Sequence, residues 1–422
     1  TPLNRKFQFS YDDKNNLIQV IDPLLEVTTY EYADMNDVHN LTAVIDPRGN
    51  RTSFAYDAKE DCVIKVTGPG GKETTYSYDF ELGVTRVTDP NGKTTIFEFS
   101  SEPAITRVTD PLGGQTRYTY DSRGIRNSIT DINGNTTIWT NDQYANVLQI
   151  DTAIPGSLDI ITFTYDDIFH NVIKIVDQLG GVYTYAYDAK GNLSSSTNPL
   201  NHKAVYTYDA YGQLLSLTDP KGNITRYEYD GYGNLSKVTD AQGYITGYAY
   251  DLDGNLLSLT DALGNVSRFA YDALNHLIKK TFADNSIEQY AYDKAGNVVT
   301  ITNTKGGVVN YSYDAQNRLI SSTNALNQAT AFARDAVGNI ITVTDAKGNT
   351  TGYEYDFFAR VTALIDAEGA RTMYNYNGGP LPAMRDQPKS VTDANNHTTT
   401  YTYDALYRLT QLTDALGYST FF

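Results

Sequence analysis

Along most of the chain, short runs that alternate apolar and polar residues are separated by compact turn signals. The run 203–208 (Lys-Ala-Val-Tyr-Thr-Tyr) is β-prone and sets Tyr206 and Tyr208 two apart, on one face of a strand. Asp209-Ala-Tyr-Gly212 follows. An Asp side chain accepts a bond from the backbone two residues on, and Gly takes positive φ, so this is a turn. Leu214-Leu-Ser-Leu-Thr218 is the return strand, and Asp219-Pro-Lys-Gly222 a second turn with Pro where its fixed φ fits. The second turn recurs as Asp46-Pro-Arg-Gly49, Asp89-Pro-Asn-Gly92 and Asp110-Pro-Leu-Gly113, and with Ala for Pro as Asp261-Ala-Leu-Gly264. No long stretch has helical periodicity. On the return strand, Leu214 and Leu217 have mixed parity, which requires either a bulge or partial cover on both faces.

The pattern is periodic. From Tyr187 to Tyr313 the Tyr-Asp dipeptide recurs in steps of 21 residues, and carrying that step along the chain gives nineteen repeats. Sixteen anchors are Tyr; the exceptions are Phe99, Asn141 and Arg334. The position two residues before the anchor is aromatic in all nineteen repeats, and Trp139, the only Trp, lies in that column. The regular core of the array predicts an aromatic ladder of Tyr185 and Tyr187, Tyr206 and Tyr208, Tyr227 and Tyr229, Tyr248 and Tyr250, Tyr290 and Tyr292, and Tyr311 and Tyr313. It predicts structural turns at Asp188 and Gly191, Asp209 and Gly212, Asp230 and Gly233, and Asp251 and Gly254.

The fold class that follows is all-β. Two tight turns per repeat make one antiparallel meander of roughly 38 strands, on the order of 180 Å long at about 4.8 Å per strand. A twisted sheet rarely exceeds about ten strands without curling, so the ribbon is expected to close into a spiral shell or tube. Residues 1–422 read as a single continuous array. Insertions break the step near 33–40, 57–62 and 377–390, in the turn after the Tyr-Asp strand, and at 151–160 in the opposite turn. Thr1 stands at a turn-Asp position and Phe422 at an aromatic-column position. The expectation is an array cut within a repeat at both ends, whose edges another segment or copy covers.

Composition narrows the function classes. The two columns hold 28 of the 35 Tyr, so the tyrosine excess is a consequence of the repeat. A net charge of −17 argues against nucleic acid. No run is long and apolar enough for a transmembrane helix, and the single Cys62 excludes an intramolecular disulfide framework.

Catalytic and cofactor chemistry finds no footing. Asp188, Asp209, Asp230, Asp251, Asp272 and Asp293 repeat one position, whereas a catalytic group needs a single special place. Asp251-Leu-Asp253-Gly254-Asn255 resembles the start of a calcium loop, but Ala262 stands where the twelfth-position Glu belongs. His39, His170, His202, His276 and His397 lack metal-ligand spacing. No Gly-x-Ser-x-Gly element or P-loop is present. The expectation is a non-enzyme without cofactor or metal.

Tyr185-Ala-Tyr-Asp-Ala-Lys-Gly-Asn-Leu193 and Tyr227-Glu-Tyr-Asp-Gly-Tyr-Gly-Asn-Leu235, with Thr-Asp-Pro-x-Gly turns between such units, resemble the YD repeats of Rhs-type proteins, toxin-complex proteins and teneurins. The resemblance covers essentially the whole chain. One departure is that Gly-Asn-Leu predominates over the family's Gly-Arg-Leu. The resemblance implies a spiralling β-sheet shell that encloses a C-terminal toxin, on or outside a bacterial cell. The toxin and a self-cleaving segment with paired aspartates carry the family's chemistry, and neither is in this chain. The leading expectation is therefore a structural shell around a passenger. Two others are a self-assembling extracellular filament of copies and an adhesive, glycan-binding surface centred on 377–390.

Overall fold

The structure, a computed structural model, describes residues 6–422 except 101–103, 112, 133, 155–156, 357–358, 377–386 and 404–407. The described residues form 39 strands and no helix, from β1 (Gln8–Tyr11) to β39 (Ser419–Phe421). Each strand pairs antiparallel with its neighbours in sequence, making one meander. Among the described residues β1 pairs only with β2 (Leu17–Ile21), and β39 only with β38 (Leu409–Thr413), so the sheet is open at both ends.

The mixed parity of the return strand is a bulge. β19 (Lys203–Tyr208) meets β20 (Leu214–Thr218) with Tyr206 opposite Leu217, Thr207 opposite Ser216, and then Tyr208 opposite Leu214. Leu215 is the extra residue. The shift returns Leu214 and Leu217 to the face that carries Tyr206 and Tyr208 and leaves Leu215 exposed. Seventeen of the nineteen hairpins closed by a Tyr-Asp turn carry this shift. The other two are the hairpin holding the 33–40 insertion and the pair β7 (Lys72–Asp79) and β8 (Val84–Thr88).

The insertions take different forms. At 151–160 the added residues lengthen both strands. β14 (Val147–Ile154) and β15 (Ser157–Tyr165) have eight and nine residues, against five and six in β20 and β19, and stay in register out to Ile154 opposite Ser157. The 33–40 segment folds back over the preceding turn, where Asn16 Nδ2 donates to the Val38 carbonyl at 2.8 Å and Asn16 Oδ1 meets His39 Nδ1 at 2.7 Å. Most of the 377–390 insertion lies outside the described residues.

This sheet has no conventional core. Ala43 and Ala363 are the only buried hydrophobic residues among those described, and no large side chain is fully buried. The accessible surface is 24659 Å², whereas a compact monomer of this mass exposes about 16,000 Å². The molecule is a wall one sheet thick.

The wall coils back on itself, and side chains from opposite rims mark the seam. Arg48 lies in the turn between β4 (Ala43–Ile45) and β5 (Arg51–Tyr56). Its guanidinium is 3.5 Å from Asp293 and donates to Asn317. Asp293 belongs to the turn between β27 (Ile287–Tyr292) and β28 (Val298–Thr302); Asn317 to the turn between β29 (Val308–Tyr313) and β30 (Leu319–Thr323). Lys294 Nζ is 3.0 Å from Glu26, Gln316 Nε2 donates to the Pro69 carbonyl at 2.8 Å, and Asn91 Nδ2 lies 3.4 Å from Asp335. Every contact joins an Asp-Pro-type turn or its equivalent to a Tyr-Asp turn 23 or 25 strands further on. One circuit is therefore about 24 strands, a circumference of roughly 115 Å and a diameter of roughly 37 Å at about 4.8 Å per strand.

Arg48 touches two turns of the next circuit at once, with a side chain only 17% exposed. Arg48→Ala is expected to speed hydrogen exchange of the 293–297 and 314–318 turn amides several-fold and to leave the amides of β19 unchanged. A uniform response along the sheet, or none, would refute the seam.

Candidate functional site

The residues singled out from sequence fall into two structural classes, turns and columns, repeated along the whole wall. The turns share one geometry. In the 209–213 turn the Gly212 N–H donates to the Asp209 carbonyl at 3.4 Å, and the Asp209 N–H donates to the Gln213 carbonyl at 3.0 Å. This is a three-residue hairpin loop whose last position is left-handed. Gly191, Gly212, Gly233 and Gly254 have φ of 85°, 86°, 91° and 86°, and Asn275 and Asn317 take the same place at 68° and 61°. Glycine and asparagine tolerate that region best.

The Asp side chain staples the loop from within. Asp188 Oδ1 accepts from the Lys190 and Asn192 N–H groups at 2.8 and 2.9 Å, and Oδ2 accepts from Asn192 Nδ2 at 3.0 Å. Asp230 and Asp251 are held in the same way by Asn234 and Asn255. Where Arg replaces Asn, its Nε reaches the same oxygen: Arg318 to Asp314 at 2.7 Å and Arg360 to Asp356 at 2.6 Å. Asn and Arg at this position therefore do one job. The second turn repeats the arrangement, with Asp219 bound by Asn223. Hydrogen bonds from the Asn side chain, then from backbone N–H groups, hold Asp188, Asp219, Asp261 and Asp345 below the usual carboxylate range.

The columns lie half-buried on one face, and each member faces a return strand rather than another ring. Tyr206, Tyr227, Tyr248 and Tyr290 sit opposite Leu217, Val238, Leu259 and Ile301; Tyr185 and Tyr311 sit opposite Ser196 and Ser322. Among the described residues the ring–ring contacts are Phe7 with Phe9, Tyr78 with Phe80, Tyr144 with His170 and His276 with Tyr292. None joins column members of neighbouring hairpins. Along this face aromatic side chains alternate with mostly aliphatic ones, because each column returns only on every second strand. The other face is wetter: Glu228 pairs with Lys237 at 2.8 Å and Glu354 with Arg371 at 2.7 Å, both pairs exposed.

The two columns have different duties. The anchor phenol reaches across to the return strand of the preceding hairpin and donates to the carbonyl of its first residue. Tyr229 bonds Leu214 at 3.0 Å, Tyr292 bonds Leu277 at 2.8 Å and Tyr313 bonds Val298 at 2.9 Å. Eleven anchors make this bond, and Tyr56 donates to the Leu41 carbonyl just before β4. The acceptor is the residue at the bulge, where the backbone ladder is interrupted. Burial pushes the phenols of Tyr187, Tyr208, Tyr250, Tyr292 and Tyr313 up, which keeps them protonated. Two of the exceptions bond the preceding hairpin in other ways. Arg334 replaces Tyr and donates through Nε and Nη2 to the Leu319 carbonyl at 3.3 and 3.2 Å. Phe99 follows the β7–β8 hairpin, which has no bulge, and its own N–H bonds the Gly83 carbonyl at 2.8 Å.

No constellation of catalytic groups emerges from these elements, and among the described residues no three His, Cys, Asp or Glu side chains converge as metal ligands. His276 is bonded to its own turn Asp272 at 2.9 Å and stacked on Tyr292 at 4.7 Å. An open groove of about 590 Å³ runs beside Tyr144, Phe163, Tyr165 and His170. Sequence reasoning missed Arg48: its partners lie about 250 residues away, and nothing local marks it. The different residue choices in the two columns were a legible signal of the anchor bond that was not read.

The RHS Repeat family model matches residues 167–203, 208–246, 250–287, 292–329, 334–377 and 385–419, and the Teneurin YD-shell model matches residues 4–138. No curated protein matches the chain. Among solved structures, the crystal structure of TcdB2-TccC3 superposes with a TM-score of 0.67 at 19% identity, over 99% of this chain and 24% of that one. The Photorhabdus luminescens Tc holotoxin pore gives 0.69 at 17% identity, over 99% and 26%. The chain thus spans about a quarter of the length of these neighbours and shares their fold.

Two outcomes follow from the turn and column geometry. Tyr229→Phe should cost about 1 kcal/mol, the worth of a hydrogen bond to a half-buried carbonyl, whereas Tyr227→Phe in the same strand should cost less than about half that. Denaturant unfolding of the two variants, compared with local hydrogen exchange, tests this; equal costs would remove the distinction between the columns. The turn carboxylates set the acid limit. Their folded pKa values are depressed, so their stabilisation is present in full above the unfolded value of about 3.9 and is lost as pH falls through the folded values. Melting temperature should hold between pH 7 and 5 and fall below about pH 4. A flat profile down to pH 2.5 would contradict this.

Proposed function

The chain belongs to the RHS repeat family, and from that premise we propose that it forms the wall of a shell enclosing a passenger. The passenger class is a toxin domain of the same polypeptide or assembly, in a bacterial protein that acts on or outside the cell. The observation that supports this reading is the seam. A coreless sheet that meets its own next circuit rim to rim divides an inside from an outside, which a flat ribbon does not. The work is structural and non-catalytic. The residues that carry it are the aromatic columns at Tyr185, Tyr206, Tyr227, Tyr248, Tyr290 and Tyr311, the anchors beside them, and the Asp and Gly of each turn.

The width of the spiral argues for the state of the cargo. A diameter of roughly 37 Å, less about 5 Å of side chain on each wall, leaves a lumen of roughly 27 Å. A folded domain of about 100 residues has a radius of gyration near 13 Å and is roughly 34 Å across. A passenger of that size enters only as an extended or partly folded chain. Enclosure then also keeps it from folding.

Cryo-electron microscopy of the protein isolated from its source tests the reading. A bounded shell with added density in the lumen is expected. An empty lumen in an unbounded tube would sink it.

A further inference from the structure

The seam holds without the backbone. Within a circuit each strand is bonded to the next through a main-chain ladder, and the turns are closed by backbone bonds of their own. Among the described residues no backbone-to-backbone hydrogen bond passes from one circuit to the other. Each crossing rests on a side chain: Arg48 with Asp293 and Asn317, Lys294 with Glu26, Asn91 with Asp335, and Gln316 on the Pro69 carbonyl. Hydrophobic burial does not close the line either. Leu25 shares its turn with Glu26 and Val337 shares its turn with Asp335, yet they stay 72% and 44% exposed. The crossings are also weak one by one. The Lys294 side chain is 61% exposed, and an exposed ion pair adds little. Arg48 is better buried, but its Nε is shut from water without a hydrogen-bond partner, a cost that closing the seam imposes.

We propose that the seam is a parting line: the wall opens sideways by uncoiling along it with every hairpin kept, and Arg48 and Lys294 are the latch that holds it shut. The sheet has the compliance for this. Rotation between adjacent strands ranges over roughly 25° among sheets, so a change of about one or two degrees at each of about 24 pairings parts the rims and breaks no ladder bond. The gap runs along the turns from Glu26 to Asn91 on one rim and from Asp293 to Asp335 on the other. The two latch residues have opposite placement. Arg48 puts its cation on the Asp-Pro rim, and Lys294 puts its cation on the Tyr-Asp rim. The attraction therefore depends on which residue faces which, and a reversed charge is mended by reversing its partner. Passage of a passenger through the gap rests on the shell reading above; the parting line itself rests on the seam contacts alone.

Small-angle X-ray scattering and hydrogen exchange of the 422-residue chain test this, with no passenger needed. Arg48→Glu combined with Lys294→Glu sets carboxylates against Asp293 and Glu26. The radius of gyration should rise, and the 293–297 and 314–318 turn amides should exchange at least about tenfold faster, since like charges face to face repel strongly. The amides of β19 and β20 and the circular dichroism spectrum should stay as in the wild type. Lys294→Glu alone should open the seam less, and Lys294→Glu with Glu26→Lys should return both readings to wild type. An unchanged scattering profile in the Arg48→Glu, Lys294→Glu variant overturns the proposal. So do strand amides that speed up with the turn amides, or a lost circular dichroism spectrum, because the wall then melts instead of uncoiling. A charge-swapped variant that stays expanded overturns it too.

Discussion

A wall one sheet thick has no interior in which an unpaired polar group can be hidden from competition with water on either side. Every hairpin has to satisfy its own backbone, and the bulge is where that is hardest. The extra residue brings the leucines of the return strand onto the aromatic face, but it interrupts the ladder at the carbonyl of the first residue of that strand. The anchor phenol of the next hairpin supplies the missing donor. One local defect thus ties each repeat to its successor. The same bond explains why the anchor is almost always Tyr and why Arg is accepted at position 334.

The wall is held very differently along its two directions. Along the ribbon every strand is bonded to the next through its backbone, with turn Asp staples at both rims. Across the seam there are a few side chains, and Arg48 serves two turns at once. Hydrophobic burial, which drives the folding of most domains, is confined here to a thin layer of Tyr, Leu and Val on one face. Cooperativity in such an array comes from neighbour coupling, as in other repeat proteins. Coiling adds a second, weaker coupling between units a full circuit apart.

Much of this was legible in the sequence because each repeat is local. The strands, both turn types and the aromatic face follow from a period of two set inside a period of 21, and nineteen copies average out the irregular ones. The mixed parity of Leu214 and Leu217 announced the bulge without deciding it. What the pattern concealed was of two kinds. The duty of each column depends on a partner in the preceding hairpin, and the bias of one column toward Tyr and the other toward any aromatic was its only trace. The seam depends on curvature, which no single repeat encodes. The 151–160 insertion resembled an enlarged turn, yet two β-prone flanks let it extend the strands instead.

The circuit of about 24 strands also constrains how such a chain changes over generations. Gain or loss of one unit inside the first circuit moves every later turn by one place along the facing rim, so Arg48 would meet a different pair of partners and all the other crossings would slip with it. Copy number between two facing turns is therefore a phase that must be kept.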